Sequence, residues 1–184
     1  MESDGAFLTL APAGEPPALT IAARAERTGA TGLNLQYQIR GALESVKLGP
    51  RSESGRAEGL WRTTCLEAFV APFGGEGYLE FNFSPSTRWA AWRFSAYREG
   101  MREAELAEDP RIGVGSDAGR FDLRAEVDLA GIAPAKASWR AGLCAVIESM
   151  DGRFSYWALA HPAGRPDFHR PEGLALELGH GTRS

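Results

Sequence analysis

Residues 60–97 read LWRTTCLEAFVAPFGGEGYLEFNFSPSTRWAAWRFSAY and hold three of the five tryptophans in this chain of 184 residues. Apolar and polar side chains alternate within the segment, which is typical of β-strands because successive side chains point to opposite faces of a sheet. Three polar residues near its centre therefore share one strand face, and two phenylalanines share the other. These are Glu80, Asn82 and Ser84 against Phe81 and Phe83. We expect the phenylalanine face to pack in a core and the polar face to contribute to a small-ligand site.

The same two-residue period predicts strands along the rest of the chain. The regular and less regular extended segments fall at 19–25, 33–39, 65–70, 78–84, 89–94, 121–129, 141–149, 154–159 and 174–178. Asp151 and Gly152 predict a two-residue hairpin turn, since glycine accepts the positive φ of a primed turn. Weak helical patterning is confined to 97–108 and 129–132. Many short strands and few short helices predict an all-β fold, a two-sheet antiparallel β-sandwich of jelly-roll type.

Composition restricts the class of protein. A hydrophobic content of 43% over this length predicts one domain spanning residues 1–184. The net charge of -4 supplies no basic field for nucleic acid or for a membrane surface, and no run reaches transmembrane length. The acidic N-terminus has no positive leader or apolar signal stretch, so we expect a cytoplasmic protein. Cys65 and Cys144 lie in apolar strands and are expected as buried free thiols, with a disulfide between facing strands as the alternative.

The central segment supplies the first candidates for a ligand site. Trp61 follows the polar loop 51–59 and precedes a strand, the position of an aromatic platform at the mouth of a sandwich. Glu67 lies in an apolar strand, where an ionised carboxylate needs a partner, and Arg93 on a neighbouring aromatic strand is the candidate. Such a pair either fixes the architecture or flanks a pocket and holds ligand hydroxyls.

A proline-rich loop near the C-terminus supplies the second set. Within SYWALAHPAGRPDFHR, residues 155–170, His161, Asp167 and His169 lie within nine positions. Histidine with carboxylate binds a metal or relays a proton, which is the basis of an enzymatic alternative. In the simpler interpretation, Asp167 and His169 fix the loop through hydrogen bonds to its backbone. A haem alternative uses Met101 with His161 or His169 as iron ligands.

Three segments of the chain together resemble a known family. They read LWRTTCLEAFV, YLEFNFSPSTRWAAWRF and IESMDGRFSYWALAHPAGRPDFH, within roughly residues 61–178. They are similar to the bacterial DOMON-like proteins, which resemble family 9 carbohydrate-binding modules. The resemblance implies a jelly-roll sandwich that binds a sugar or haem without converting it chemically. It implies no catalytic residues. In sugar-binding relatives tryptophans clamp a sugar ring. Trp61 and Glu67 match the family's tryptophan and acidic positions, and Trp157 or Trp89 would supply the second clamp.

These features predict a non-catalytic module that binds a carbohydrate or a similar polyhydroxylated small molecule. No cofactor is expected, with haem as the alternative, and a flat apolar patch would indicate a protein-interaction or dimer surface instead. Trp61 would stack on the ligand, and polar side chains would bind its hydroxyls. The predicted ligand-binding residues are Trp61, Glu67, Asn82, Trp89, Arg93, Trp157, His161, Asp167 and His169.

Overall fold

A computed structural model describes residues 6–179 and contains two β-sheets built from fourteen strands. The strands are β1 (Leu8–Thr9), β2 (Ala11–Ala13), β3 (Leu19–Thr28), β4 (Gly32–Gly41), β5 (Gly55–Arg56), β6 (Cys65–Pro72), β7 (Tyr78–Phe83), β8 (Arg88–Phe94), β9 (Arg102–Glu103), β10 (Arg111–Asp117), β11 (Arg120–Asp128), β12 (Trp139–Glu148), β13 (Phe154–Ala158) and β14 (Leu176–Leu178). Three single-turn 3-10 helices complete the described elements: Leu43–Ser45, Leu60–Arg62 and Pro171–Gly173. Every predicted strand segment forms a strand.

The small sheet has the order β1-β3-β4-β11-β10, and the large sheet has the order β2-β13-β12-β6-β7-β8-β5. In the large sheet β14 also pairs with β12, and β9 pairs with β8. Neighbouring strands run antiparallel, except that β5 runs parallel to β8 over two residues. This confirms the predicted two-sheet antiparallel sandwich, while its jelly-roll topology stays a prediction. Among residues 6–179, no helix is long or apolar enough to cross a membrane.

The core lies between the two sheets and is built from the apolar face of each strand. Strand β4 alternates as expected, with Leu33, Leu35, Tyr37 and Ile39 buried. Burying a side chain of this size contributes roughly 1.5–3 kcal/mol to the free energy of folding. The alternation therefore determines which face of each strand packs in the core. The Tyr37 hydroxyl, which would otherwise be an unpaired polar group in this core, donates to the main-chain oxygen of Glu67 at 2.7 Å.

The outer face of the large sheet is partly covered as well. Phe168 and Leu174, from the chain that follows β13, pack against a second cluster of buried residues on this face. That cluster consists of Phe69, Ala71, Tyr78, Phe94, Cys144 and Ala158. Burial on both faces explains why β6 and β7 are mostly apolar. Cys65 and Cys144 are both buried free thiols, as the sequence predicted.

Some local predictions are wrong. The segment 97–108 forms no helix, because Arg98 and Gly100 take positive φ values in a turn that leads into β9. At 129–132 only a turn forms, since Gly131 has a φ of 78°. Strand β10 was not predicted, because its two glycines weaken the strand signal.

The predicted hairpin joins β12 to β13, but its turn differs from the expected one. The Gly152 N–H donates to the Ser149 oxygen at 2.9 Å, and the Ser149 N–H donates to the Arg153 oxygen at 2.8 Å. Gly152 takes a positive φ of 82°, whereas Asp151 does not. The loop is therefore longer than the predicted two-residue primed turn, since both primed types need a positive φ at the first central position, Asp151.

The ends of the predicted domain, residues 1–5 and 180–184, lie outside the described residues, and they include most of the acidic start of the chain.

Candidate ligand-binding site

A cleft of about 660 Å³ opens on the outer face of the large sheet. Its floor consists of side chains from five neighbouring strands, and its walls come from three connecting segments. The floor residues are Glu67, Phe69, Glu80, Trp92, Phe94, Val146, Phe154 and Tyr156. The wall residues are Trp61, Arg62, Arg98, Met101, Pro166, Asp167, Phe168 and His169. An aromatic cleft with a few converging polar groups has the character of a small-molecule site.

Trp61 forms an exposed aromatic wall of the cleft. It lies in the 3-10 helix Leu60–Arg62 directly before β6, and 52% of its surface is exposed. The Arg62 guanidinium lies 5.2 Å from the centre of the Trp61 ring, a distance at which a cation–π contact orients the indole. Met101 and Tyr156 are also large, apolar and exposed at the cleft. A ligand with an apolar face therefore gains contact area at this rim.

Glu67 supplies a buried carboxyl oxygen without a partner. Only 3% of the residue's surface is exposed, and its Oε1 has no hydrogen-bond partner among the described residues. Burial, and then the charge of Glu80, raise the pKa of Glu67 well above its usual value, although a hydrogen bond with Cys65 acts to lower it. The expected pairing with Arg93 is wrong, because Arg93 lies opposite Leu79 and shares the core-side face of its strand. The free Glu67 oxygen is thus left to accept a hydrogen bond from a ligand.

Glu80 supplies a second buried carboxyl, held in place by a neighbour on the same face of β7. Asn82 Nδ2 donates to Glu80 Oε1 at 2.7 Å, and Asn82 itself is almost fully buried. Burial raises the pKa of Glu80, against the lowering effects of Asn82 and Arg98. Asn82 does not line the cleft. It therefore positions Glu80 rather than contacting a ligand directly, which corrects its predicted place in the binding set.

His169 packs among the rings of Phe69, Tyr78 and Phe94, with ring centres 5.1–5.8 Å apart. The Tyr78 hydroxyl accepts the Arg98 N–H at 3.1 Å and lies 2.8 Å from His169 Nδ1. We assign the Tyr78 hydroxyl as the donor to Nδ1, which places the ring proton on Nε2, 3.8 Å from Glu80 Oε2. Burial, and then Arg98, lower the pKa of His169 to about 4, so its ring is neutral at pH 7.

Asp167 ties the C-terminal loop to the turn that follows β8. Its carboxylate accepts hydrogen bonds from the Tyr97 hydroxyl at 2.5 Å, from Arg98 Nη2 at 2.9 Å and from the His169 backbone N–H at 3.1 Å. Burial alone would raise the pKa of Asp167, but these hydrogen bonds lower it below its usual value. Asp167 therefore holds a cleft wall together, in agreement with the loop-fixing interpretation of the sequence.

Two of the predicted aromatic contacts lie elsewhere. Trp89 and Trp157 are buried in the core between the sheets, on the face opposite the cleft. Their placement corrects the expectation that one of them would form a second clamp. The aromatic residues of these two strands that line the cleft lie on the opposite strand face, and they are Trp92, Phe94, Phe154 and Tyr156. Trp89 and Trp92 are three positions apart on β8 and lie on opposite faces of the strand.

The histidines and the aspartate of the C-terminal loop do not converge. His161 Nε2 lies 2.8 Å from the Ala11 main-chain oxygen and fastens the loop to β2, outside the cleft lining. No group of three potential metal ligands occurs within residues 6–179. The geometry also does not fit haem, because one His169 nitrogen is bonded to Tyr78 and the other faces Glu80. Neither the enzymatic nor the haem alternative gains support.

Several cleft residues were missed, although the alternation contained a signal for most of them. Phe69 follows Glu67 by two positions, so the two residues share a strand face. Extending the Glu67 prediction by two residues along its strand would have found Phe69, whereas Glu80 was placed on the polar face but was not included among the predicted ligand-binding residues. The walls formed by Arg98 and Phe168 had no such signal, since they lie in turns whose path depends on distant contacts.

No protein-family model matches the sequence, and no curated protein matches it. Solved structures with the same fold include a candidate carbohydrate-binding protein from Bacteroides uniformis ATCC 8492, at 17% identity and a TM-score of 0.65, covering 92% of this chain and 84% of that one. They also include a family 9 carbohydrate-binding module from Caldicellulosiruptor kristjanssonii. Its glucose complex has 9% identity, a TM-score of 0.62, and coverage of 98% and 86%. Its cellotriose complex has 10% identity, a TM-score of 0.59, and coverage of 98% and 85%.

The chain therefore has a fold similar to that of family 9 carbohydrate-binding modules, as the sequence resemblance implied. The resemblance to DOMON-like proteins stays a prediction.

Proposed function

We propose that this protein is a non-catalytic module that binds a carbohydrate in the cleft of the large sheet. The observation that carries the proposal is the buried Glu67 oxygen without a partner, at the floor of an aromatic cleft with Trp61 exposed at its rim. A sugar ring has C–H faces that stack on aromatic rings and hydroxyls that donate to carboxyl oxygens. One such molecule can therefore stack on Trp61 and also donate a hydrogen bond to the Glu67 oxygen.

The dimensions and polarity of the cleft support the same class of ligand. Its volume of about 660 Å³ lies within the range of small-molecule sites, roughly 300–1,000 Å³. A ring that stacks on Trp61 would direct hydroxyls to the floor carboxyls of Glu67 and Glu80. Asp167 is already occupied by Tyr97 and Arg98, so it contributes mainly by holding the wall.

The ligands of the structural neighbours agree with this proposal. One neighbour is bound to glucose and another to cellotriose. In the present cleft, aromatic side chains from β8, β13 and the C-terminal loop accompany Trp61. They include Trp92, Phe154, Tyr156 and Phe168. Cytoplasmic localisation stays a prediction of the sequence.

Replacing Trp61 by alanine tests the proposal directly. We expect the affinity for glucose or cellotriose to fall about tenfold, because aromatic stacking adds roughly 0.5–1.5 kcal/mol beyond the area buried. The free energy of unfolding should change by less than about 0.5 kcal/mol, since Trp61 is half exposed. Isothermal titration calorimetry and urea unfolding measure the two quantities.

Phe73→Ala is the matched control, because Phe73 is exposed outside the cleft. It should leave sugar binding unchanged. Equal affinities for the wild type and Trp61→Ala would contradict the proposal, and a large loss of stability would show that the indole supports the fold.

A further inference from the structure

The floor of the cleft brings two buried carboxyl groups together. Glu67 and Glu80 lie on the adjacent strands β6 and β7, on the same face, and both line the cleft. Both are nearly fully buried, and Glu67 Oε1 has no hydrogen-bond partner among the described residues. Two carboxyls close together under a low-dielectric aromatic surface repel each other when both are ionised.

The described part of the chain supplies no cation to neutralise this pair. Within residues 6–179, no lysine or arginine forms an ion pair with Glu67 or Glu80. The wall residue Arg98 acts on the charge of Glu80 from a distance, but its guanidinium is bound to Asp167. His169 faces Glu80 at 3.8 Å and is neutral at pH 7.

The other titratable groups beside Glu67 are also uncharged. Cys65, Cys144 and Tyr37 are buried, and burial raises the pKa of each well above its usual value. At the rim, Arg62 lies against the ring of Trp61. The floor of the cleft therefore carries carboxyl groups without a balancing positive charge.

We propose that the ligand of this cleft supplies that charge, and that it is an amino sugar bound with its ammonium group next to Glu67 and Glu80. This inference rests on the proposed carbohydrate site. A hydroxyl group satisfies the free Glu67 oxygen, but it brings no charge that would allow Glu67 to ionise beside Glu80. An ammonium group donates hydrogen bonds and also compensates the negative charge that Glu67 gains when it ionises. The surrounding aromatic rings favour a cation as well.

Binding of an ammonium group next to Glu67 also releases protons. The raised pKa of Glu67 favours its protonated form in the free protein, and an adjacent positive charge lowers that pKa. The proton leaves the Glu67 carboxyl for the buffer as the ammonium binds, and no other bond changes. A neutral sugar brings no charge and should release none.

Calorimetric titration with D-glucosamine, D-glucose and N-acetyl-D-glucosamine tests this inference on the wild-type protein. The titrations are run at slightly acidic pH, where glucosamine is cationic, in two buffers with different ionisation enthalpies. We expect glucosamine to bind at least about tenfold more tightly than the two neutral sugars. Proton release should accompany glucosamine binding alone.

Two variants locate the effect. Glu67→Gln should remove the preference for glucosamine and its proton release, whereas Glu26→Gln, an exposed glutamate of the small sheet, should change neither. Glucose that binds as tightly as glucosamine would overturn this inference and leave the carbohydrate site intact. Failure of all three sugars to bind would overturn the site and the inference together.

Discussion

Replacing Arg27 by alanine is expected to lower the free energy of unfolding by about 3 kcal/mol, although the residue is far from the cleft. Charged hydrogen bonds contribute roughly 1.5–3 kcal/mol each, and a desolvated cation–π contact contributes about 2 kcal/mol, but water replaces part of what is lost. The expected loss is therefore smaller than the sum of the separate contacts. It is still large for a single substitution.

The expectation follows from the position of Arg27 at one end of the sandwich. Its guanidinium lies over the ring of Trp139 at 3.8 Å, and so joins the small sheet to the first residue of β12. It donates to the main-chain oxygens of Ala137 and Ala30 at 2.6 Å, and also to that of Ala135. One side chain thus fixes both the β3–β4 turn and the segment that enters β12.

Urea unfolding of three variants measures this effect. Arg27→Lys keeps the charge but lacks the planar fork that reaches three oxygens, so it should recover only part of the stability. Arg40→Ala removes an exposed arginine from the same sheet and should change stability by less than about 0.5 kcal/mol. A loss below about 1 kcal/mol for Arg27→Ala would show that the contacts do not stabilise the fold.

The stability of the protein is expected to depend on pH through Glu67. The pKa of Glu67 is raised in the folded state. As the pH rises, the unfolded chain therefore loses this proton near pH 4.3, whereas the folded protein keeps it to a higher pH. The stability due to this group is present below about pH 4.3 and is lost as the pH rises through the folded-state pKa. Glu80 acts in the same direction, whereas His169, with its lowered pKa, acts in the opposite one.

The difference between the wild type and Glu67→Gln isolates this contribution. Relative to the wild type, the variant should gain free energy of unfolding as the pH rises from 4 to 8, because glutamine has no carboxyl proton that the unfolded chain releases in this range. Glu26→Gln should show a curve parallel to that of the wild type. Parallel curves for Glu67→Gln would mean that the Glu67 carboxyl has an ordinary environment.

The alternation of side chains was sufficient to predict most of the longer strands and the face on which most of their residues lie. It placed Phe81 and Phe83 in the core and Glu80 opposite them. These predictions depend only on the pleat of a single strand, which is a local property.

The predictions that failed required knowledge of more than one strand. The predicted pairing of Arg93 with Glu67 assumed that both side chains lie on the same face of the sheet. The register instead places Arg93 opposite Leu79, whose side chain packs in the core. The face of β13 that turns to the core, which decides the position of Trp157, depends on the neighbouring strands. The wall formed by Asp167 depends on contacts with Tyr97 and Arg98, about seventy positions earlier in the chain, and no local pattern reveals such contacts.

A crystal structure of the protein soaked with glucose tests the central claim most directly. We predict density for the sugar in the cleft, with its ring against Trp61 and a hydroxyl within hydrogen-bond distance of Glu67 Oε1. Density for the sugar elsewhere on the molecule, or a cleft without sugar at a saturating glucose concentration, would contradict the account.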